Sequence, residues 1–158
     1  MVGLEESVVR RTAGQVWSAH RHNLLHPVVH LIGTLMERGW EVWIVSASNR
    51  WVVECAAVDI GVPRDRVLGV TTGVQDGRLT DQVVPPLTNG PGKVTAIRQH
   101  IGVKPILGVG NSVHDGPMLN HADVGLLVSG EKAPIPRPLR DLATASDWLV
   151  CLLGTSRT

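Results

Sequence analysis

The stretch LGVGNSVHDGPML, residues 107–119, carries an apolar run straight into Asn111, Ser112, His114 and Asp115 within five positions. Oxygen donors and an imidazole gathered at a strand end can bind a polar ligand, and the same residue types can cap a helix. VWIVSAS, at 42–48, also ends an apolar run in a small hydroxyl residue, Ser46. GPGKV, at 90–94, sets Lys93 just inside a helix start.

The surrounding elements place these residues at strand ends. Leu4, Val8, Val16 and Ala19 have loosely helical spacing. HPVVHLIGTLMERG aligns Val28, Val29, Ile32, Leu35 and Met36 on one face, with Pro27 at its start and Gly39 at its end, which predicts an amphipathic helix. EVWIVSAS reads as a buried strand ending at Ser46, and NRWVVECAAVDIG as a helix closing on Gly61. DRVLGV predicts a second strand, and the alternation about Asp76-Gly77 a hairpin. A helix from Pro91 or Gly92 to Gly102 precedes a third strand, KPILGVG. PMLNHA gives a helical turn or two, VGLLVS a fourth strand, APIPRPLR a surface connector and DWLVCLL a last strand. Strands alternating with helices mean α/β with a mostly parallel sheet, in which chemistry sits at the carboxyl ends of the strands.

Composition excludes several classes. The chain has 158 residues, a formal charge of +1, five Trp and neither Phe nor Tyr. Nothing in that balance points to nucleic acid or an anionic membrane surface. The early residues MVGLEESVVRR contain no apolar h-region, and no apolar run approaches the roughly 18 residues that span a bilayer. A cytoplasmic location is the expectation. Cys55 and Cys151 lie far apart and read as buried, reduced thiols. His22, His26 and His30 recur at four-residue intervals beside His20, but Pro27 interrupts them and no thiol or carboxylate joins, so a polar face is expected rather than a metal site.

Two phosphate loops fail on their residues. LTNGPGKV matches a Walker A loop only at Gly92-Lys93, with Leu87 in place of the upstream glycine and Val94 in place of the Ser/Thr. GVGNSV has Val113 where a dinucleotide fingerprint needs its third glycine.

Taken in order, VWIVSAS, GPGKV and LGVGNSVHDGPML resemble motifs II, III and IV of the haloacid dehalogenase-like (HAD) phosphatases, particularly the phosphoserine-phosphatase-like branch. The hairpin about Asp76-Gly77 followed by VVPPLTNGPGK is similar to that branch too, and the resemblance covers roughly residues 27–130. It implies a three-layer Rossmann-like core with a small β-hairpin insertion near 70–84, as a single domain over 1–158 in which 1–26 are a remnant of cap helices. It also implies Mg²⁺-dependent hydrolysis of a small phosphomonoester through an aspartyl-phosphate. Ser46 would donate its hydroxyl to a phosphate oxygen, helped by the Ala47 N–H at the following helix start. Lys93 would neutralise phosphate and nucleophile charge, and His114 would add a polar phosphate contact. Asn111 and Asp115 would hold the magnesium, directly or through water. Ser46, Lys93 and Asp115 would then converge at one rim of the sheet. Each also has a plainer reading: Ser46 and Asp115 as helix caps, Lys93 as a solvated helix residue, His114 as a loop histidine.

Two departures bear on activity. Position 111, an aspartate in the family, is asparagine, which removes one negative charge and weakens magnesium binding. No Asp-x-Asp, the nucleophile and acid/base pair, occurs in the 158 residues, and Asp59 and Asp123 do not follow strands. Little or no turnover is therefore expected, with a catalytically dead phosphate-metabolite or protein-binding module as the alternative. The first, nucleophile strand would be missing between the strands ending at Ser46 and Gly110. Three escapes exist: EVWIV and PILGV pair directly, an N-terminal segment or a second copy fills the slot, or an upstream piece carries the strand. The last is favoured, because the N-terminal helix resembles the end of a cap insertion.

Overall fold

Helix α1 spans Glu6–His20 and α2 His26–Glu37, followed by β1 (Ile44–Asn49), α3 (Arg50–Asp59), β2 (Val67–Gln75) and β3 (Arg78–Val84). Then come α4 (Pro91–His100), β4 (Leu107–Gly110), α5 (Gly116–His121), β5 (Val124–Ser129), α6 (Arg137–Ala145) and β6 (Leu149–Leu152). The computed structural model describes residues 2–130 and 135–153. They fall into two units, Met1–Thr88 and Asn89–Thr158, each with a three-stranded sheet. Parallel strands alternating with helices make a Rossmann-like α/β fold, as the spacing predicts. Among the described residues no helix is long and apolar enough to cross a membrane.

In the first unit β1 and β2 run parallel and β2 and β3 antiparallel. Asp76 and Gly77 form the turn, with φ of 51° and 74°, and Gln75 pairs with Arg78 across it. Two positive φ angles give the two-residue turn whose twist suits antiparallel strands, hence Asp-Gly. The β1–β2 ladder is broken: Ile44 and Val45 pair with Val67 and Leu68, and pairing resumes only at Asn49 with Val70. The ladder thus breaks at Ser46, where the strand is expected to end, but extended chain continues to Asn49. The next helix consequently starts at Arg50, not beside Ala47.

Helix α3 is buried on two sides. Trp51 packs with Val9 and Ala13 of α1 and Leu79 of β3, while Val53 and Ala57 pack with Val62 and Val67, flanked by Ile32 and Met36 of α2. Burying an aliphatic side chain of this size contributes about 1.5–3 kcal/mol. Polar bonds fasten α1 further. Glu54, buried on α3, accepts from Arg10 Nη1 at 3.0 Å and from Arg50 Nε at 2.6 Å. Glu6 accepts from the Trp51 indole N–H at 3.1 Å. The Gly3 N–H donates to Leu79 O, and the Leu79 N–H to Leu4 O, so the residues before α1 line the hairpin edge.

In the second unit β4, β5 and β6 are parallel in that order, in unbroken register from Leu107 opposite Val124 to Gly110 opposite Leu127. Ile97, Leu119 and Leu127 are fully buried. The Trp148 indole lies against Gly116 and Gly125 and donates its N–H to Asn120 Oδ1 at 2.7 Å. A Cβ on Gly125 would sit 2.7 Å from the Trp148 ring.

Two local expectations are corrected. From Arg137 onward the stretch read as a surface connector is helix α6, with Leu139 and Ala143 buried; Ala133 and Pro134 lie outside the described residues. Pro138 is tolerated there because an N–H in the first turn of a helix has no intrahelical acceptor, so proline costs no hydrogen bond. The cysteines are free, but Cys55 is half-buried and Cys151 exposed, since β6 is an edge strand exposed along its whole length. His22 lies in a 3₁₀ turn, Arg21–Asn23, apart from His26 and His30 on α2. Among the described residues no three or more His, Cys, Asp or Glu side chains gather to hold a metal.

Candidate functional site

The second half of β1, where its ladder to β2 is broken, presents Ser46, half-buried, then Ala47 and Ser48, both exposed. Ser46 Oγ accepts from the Ser48 N–H at 3.1 Å. That bond uses an oxygen lone pair and leaves the Ser46 hydroxyl able to donate its own hydrogen. Ser46 does not cap α3. Asn49 does, its Oδ1 accepting from the Trp51 N–H at 3.1 Å. The Ser46 carbonyl accepts from the hydroxyl of Thr88, which is only 2% exposed.

The corner after β4 is built around one carboxylate. Asp115 Oδ2 accepts from the Asn111 N–H at 3.0 Å, the Ser112 N–H at 3.0 Å and the Ser112 hydroxyl at 2.9 Å. Asp115 Oδ1 accepts from Lys93 Nζ at 2.7 Å. Ser112 and Asp115 close a capping box on the 3₁₀ turn Val113–Asp115, so Asp115 caps the turn before α5 and not α5 itself. Gly110 makes room for this: a Cβ there would lie 2.5 Å from Asp115 Cβ and 2.9 Å from its Cγ.

Lys93 and Asp115 are both buried, their side chains 7% and 9% exposed. Burial alone would push the Asp115 carboxyl up. The hydrogen bond and charge of Lys93, with the bonds from Asn111 and Ser112, outweigh it and hold the carboxyl below its ordinary value. Lys93 is therefore not the solvated helix residue of its plainer reading. It sits on the first turn of α4 with its charge fixed in place.

The sequence-predicted residues thus divide between the units. Ser46 and Ala47 belong to the first; Lys93, Asn111, His114 and Asp115 belong to the second. Lys93 and Asp115 meet directly, and Asn111 joins them through its backbone N–H. The Asn111 and His114 side chains are exposed. This donor set does not suit Mg²⁺, which wants near-octahedral oxygen ligands. Asp115 Oδ2 already takes three donors and Oδ1 a lysine, leaving an amide as the other ligand of the pair.

Sequence reasoning gives no role to two residues that the structure brings in. Ser112 is detectable as the start of a Ser-x-x-Asp capping box. Thr88 carries no local signal, because its acceptor is 42 positions earlier.

The profile of the haloacid dehalogenase-like hydrolases matches residues 1–120. The chain belongs to that family. It is 28% identical over 168 residues to phosphoserine phosphatase SerB2 of Mycobacterium tuberculosis, a match covering 99% of this chain and 38% of that protein. It is 29% identical over 108 residues to phosphoserine phosphatase of Lactococcus lactis, covering 65% and 49%. Across four phosphoserine phosphatases, the chain spans 38% to 57% of their length. Among solved structures, a conserved protein of unknown function from Anaerococcus prevotii superposes with a TM-score of 0.64 at 27% identity, covering 77% of this chain and 36% of that one. A protein of unknown function from Bordetella pertussis shares the fold, with a TM-score of 0.67 at 21% identity over 87% of this chain and 65% of its own.

Proposed function

We propose that this chain supplies phosphate-holding residues of a phosphoserine-phosphatase-like enzyme, one that hydrolyses a small phosphomonoester through an aspartyl-phosphate. The observation that carries the reading is the buried Lys93–Asp115 pair between the first turn of α4 and the loop after β4. A buried ammonium locked by a carboxylate is a preorganised charge, and a preorganised charge favours an anion without reorganising on binding. The likeness to several phosphoserine phosphatases supports the substrate class.

In this reading Ser46 donates its hydroxyl to a phosphate oxygen, with the Ala47 N–H beside it. Lys93 offsets phosphate charge, Asp115 keeps Lys93 in position, and His114 offers a further polar contact. Magnesium, expected from the family, would need ligands beyond Asn111 and Asp115, and no role of Ser46 or Lys93 depends on it. Without an Asp-x-Asp the chain has no group to attack phosphorus, so it binds phosphate with little or no turnover.

A steady-state assay with p-nitrophenyl phosphate and magnesium tests this. Release near the uncatalysed rate is expected, and robust magnesium-dependent release overturns the inactive reading. Asn111 in place of the family's aspartate favours a second reading, a catalytically dead module that holds a phosphorylated metabolite or a protein. The DNA immediately upstream separates the two: a strand followed by Asp-x-Asp, in any frame, makes the chain part of a phosphatase.

A further inference from the structure

We infer that Thr88 is a positioning residue for the broken, phosphate-facing second half of β1, an inference that rests on the reading of Ser46 just given. The β1 backbone leaves its ladder after Val45 and rejoins at Asn49, so β2 does not fix residues 46–48. The Ser46 carbonyl finds its partner elsewhere, in the hydroxyl of Thr88. Thr88 is 2% exposed, one of five buried polar or charged residues among those described. A buried hydroxyl donating to a carbonyl that the sheet has released is a specific clamp, because the Thr88 hydroxyl left alone would be a buried unsatisfied polar atom.

The clamp sets more than one atom. The Ser46 C=O and the Ala47 N–H belong to one planar trans peptide and point in opposite directions. Holding the oxygen towards Thr88 turns the Ala47 N–H away from it, at an exposed residue. The bond from the Ser48 N–H then fixes Ser46 Oγ. Two donors, the Ala47 N–H and the Ser46 hydroxyl, are thereby aimed before an anion arrives, and the residue that aims them does not touch the anion itself.

Titration of the ¹⁵N-labelled chain with inorganic phosphate tests this with Thr88→Val, Thr88→Ser and wild type at matched temperature. Thr88→Val keeps the shape and removes the donor; Thr88→Ser keeps the donor. Wild type should show phosphate-dependent shifts at Ser46, Ala47 and Ser48. Thr88→Val should weaken binding about tenfold with the Ala47 response lost, and Thr88→Ser should restore both to within twofold. Equal affinity in wild type and Thr88→Val overturns the assignment of Thr88 alone. No phosphate response at 46–48 in wild type overturns the reading of Ser46 beneath it. Should Thr88→Val fail to fold, Thr88→Ala is titrated in its place. Should neither fold, loss of the wild-type Ala47 shift in Thr88→Ser overturns the assignment.

Discussion

In the broken second half of β1 the side chain that holds the backbone comes from 42 positions away, Thr88 on Ser46. At the corner after β4 the loop is held from within, by an Asp115 carboxylate that collects three donors from Asn111 and Ser112 and a fourth from Lys93. The first arrangement leaves a hydroxyl able to donate its hydrogen beside exposed backbone. The second uses up its carboxylate and keeps a buried ion pair. One region is organised to donate hydrogen bonds, the other to fix a charge. Both lie at the carboxyl end of a parallel strand, so the strand supplies only the location, and the chemistry follows from who satisfies the backbone there.

The comparison breaks most sharply at the charge. Lys93→Ala leaves the Asp115 carboxylate buried without its ammonium, and such a loss costs about 3–5 kcal/mol. Faster amide exchange at Leu119 and Leu127 in the second unit, with first-unit amides at Ala57 unchanged, is the expected result. Gly110→Ala comes next. The new Cβ would lie 2.5 Å from Asp115 Cβ, so the carboxylate must move and about 1–3 kcal/mol is lost; shifts of the Asn111 and Ser112 amides report it. At the end of β1, Asn49→Ala removes the cap of α3 for about 1 kcal/mol, read as fraying of the Arg50 and Trp51 amides.

The smallest effect is in acid. The Asp115 carboxyl is held below its unfolded value, near 3.9 for an aspartate. Its contribution to stability is then complete above that unfolded value and is lost as pH falls through the lower folded one. Urea unfolding of the second unit should weaken below about pH 4, and Asp115→Asn should remove that acid limb while leaving the first unit's profile alone.

Much of this was legible in the residues. The Asp76-Gly77 hairpin and the strand of 107–110 follow from turn chemistry and apolar runs. Helix α6 was not, because three prolines in six residues of APIPRPLR hide the spacing of Leu139 and Ala143. The helix of NRWVVECAAVDIG was legible, beginning at its cap Asn49, but Ala47 does not open it, because extended chain runs on to Asn49. The Glu54 pairing with Arg10 joins residues 44 positions apart, as Thr88 and Ser46 are joined, and neither leaves a periodicity to read.

The most direct test of the account is the affinity of the purified chain for inorganic phosphate, by isothermal titration at low salt, beside that of Ser46→Ala. Saturable binding that weakens about tenfold on loss of the Ser46 hydroxyl is the predicted result. Binding of equal strength in both proteins, or none in either, contradicts it.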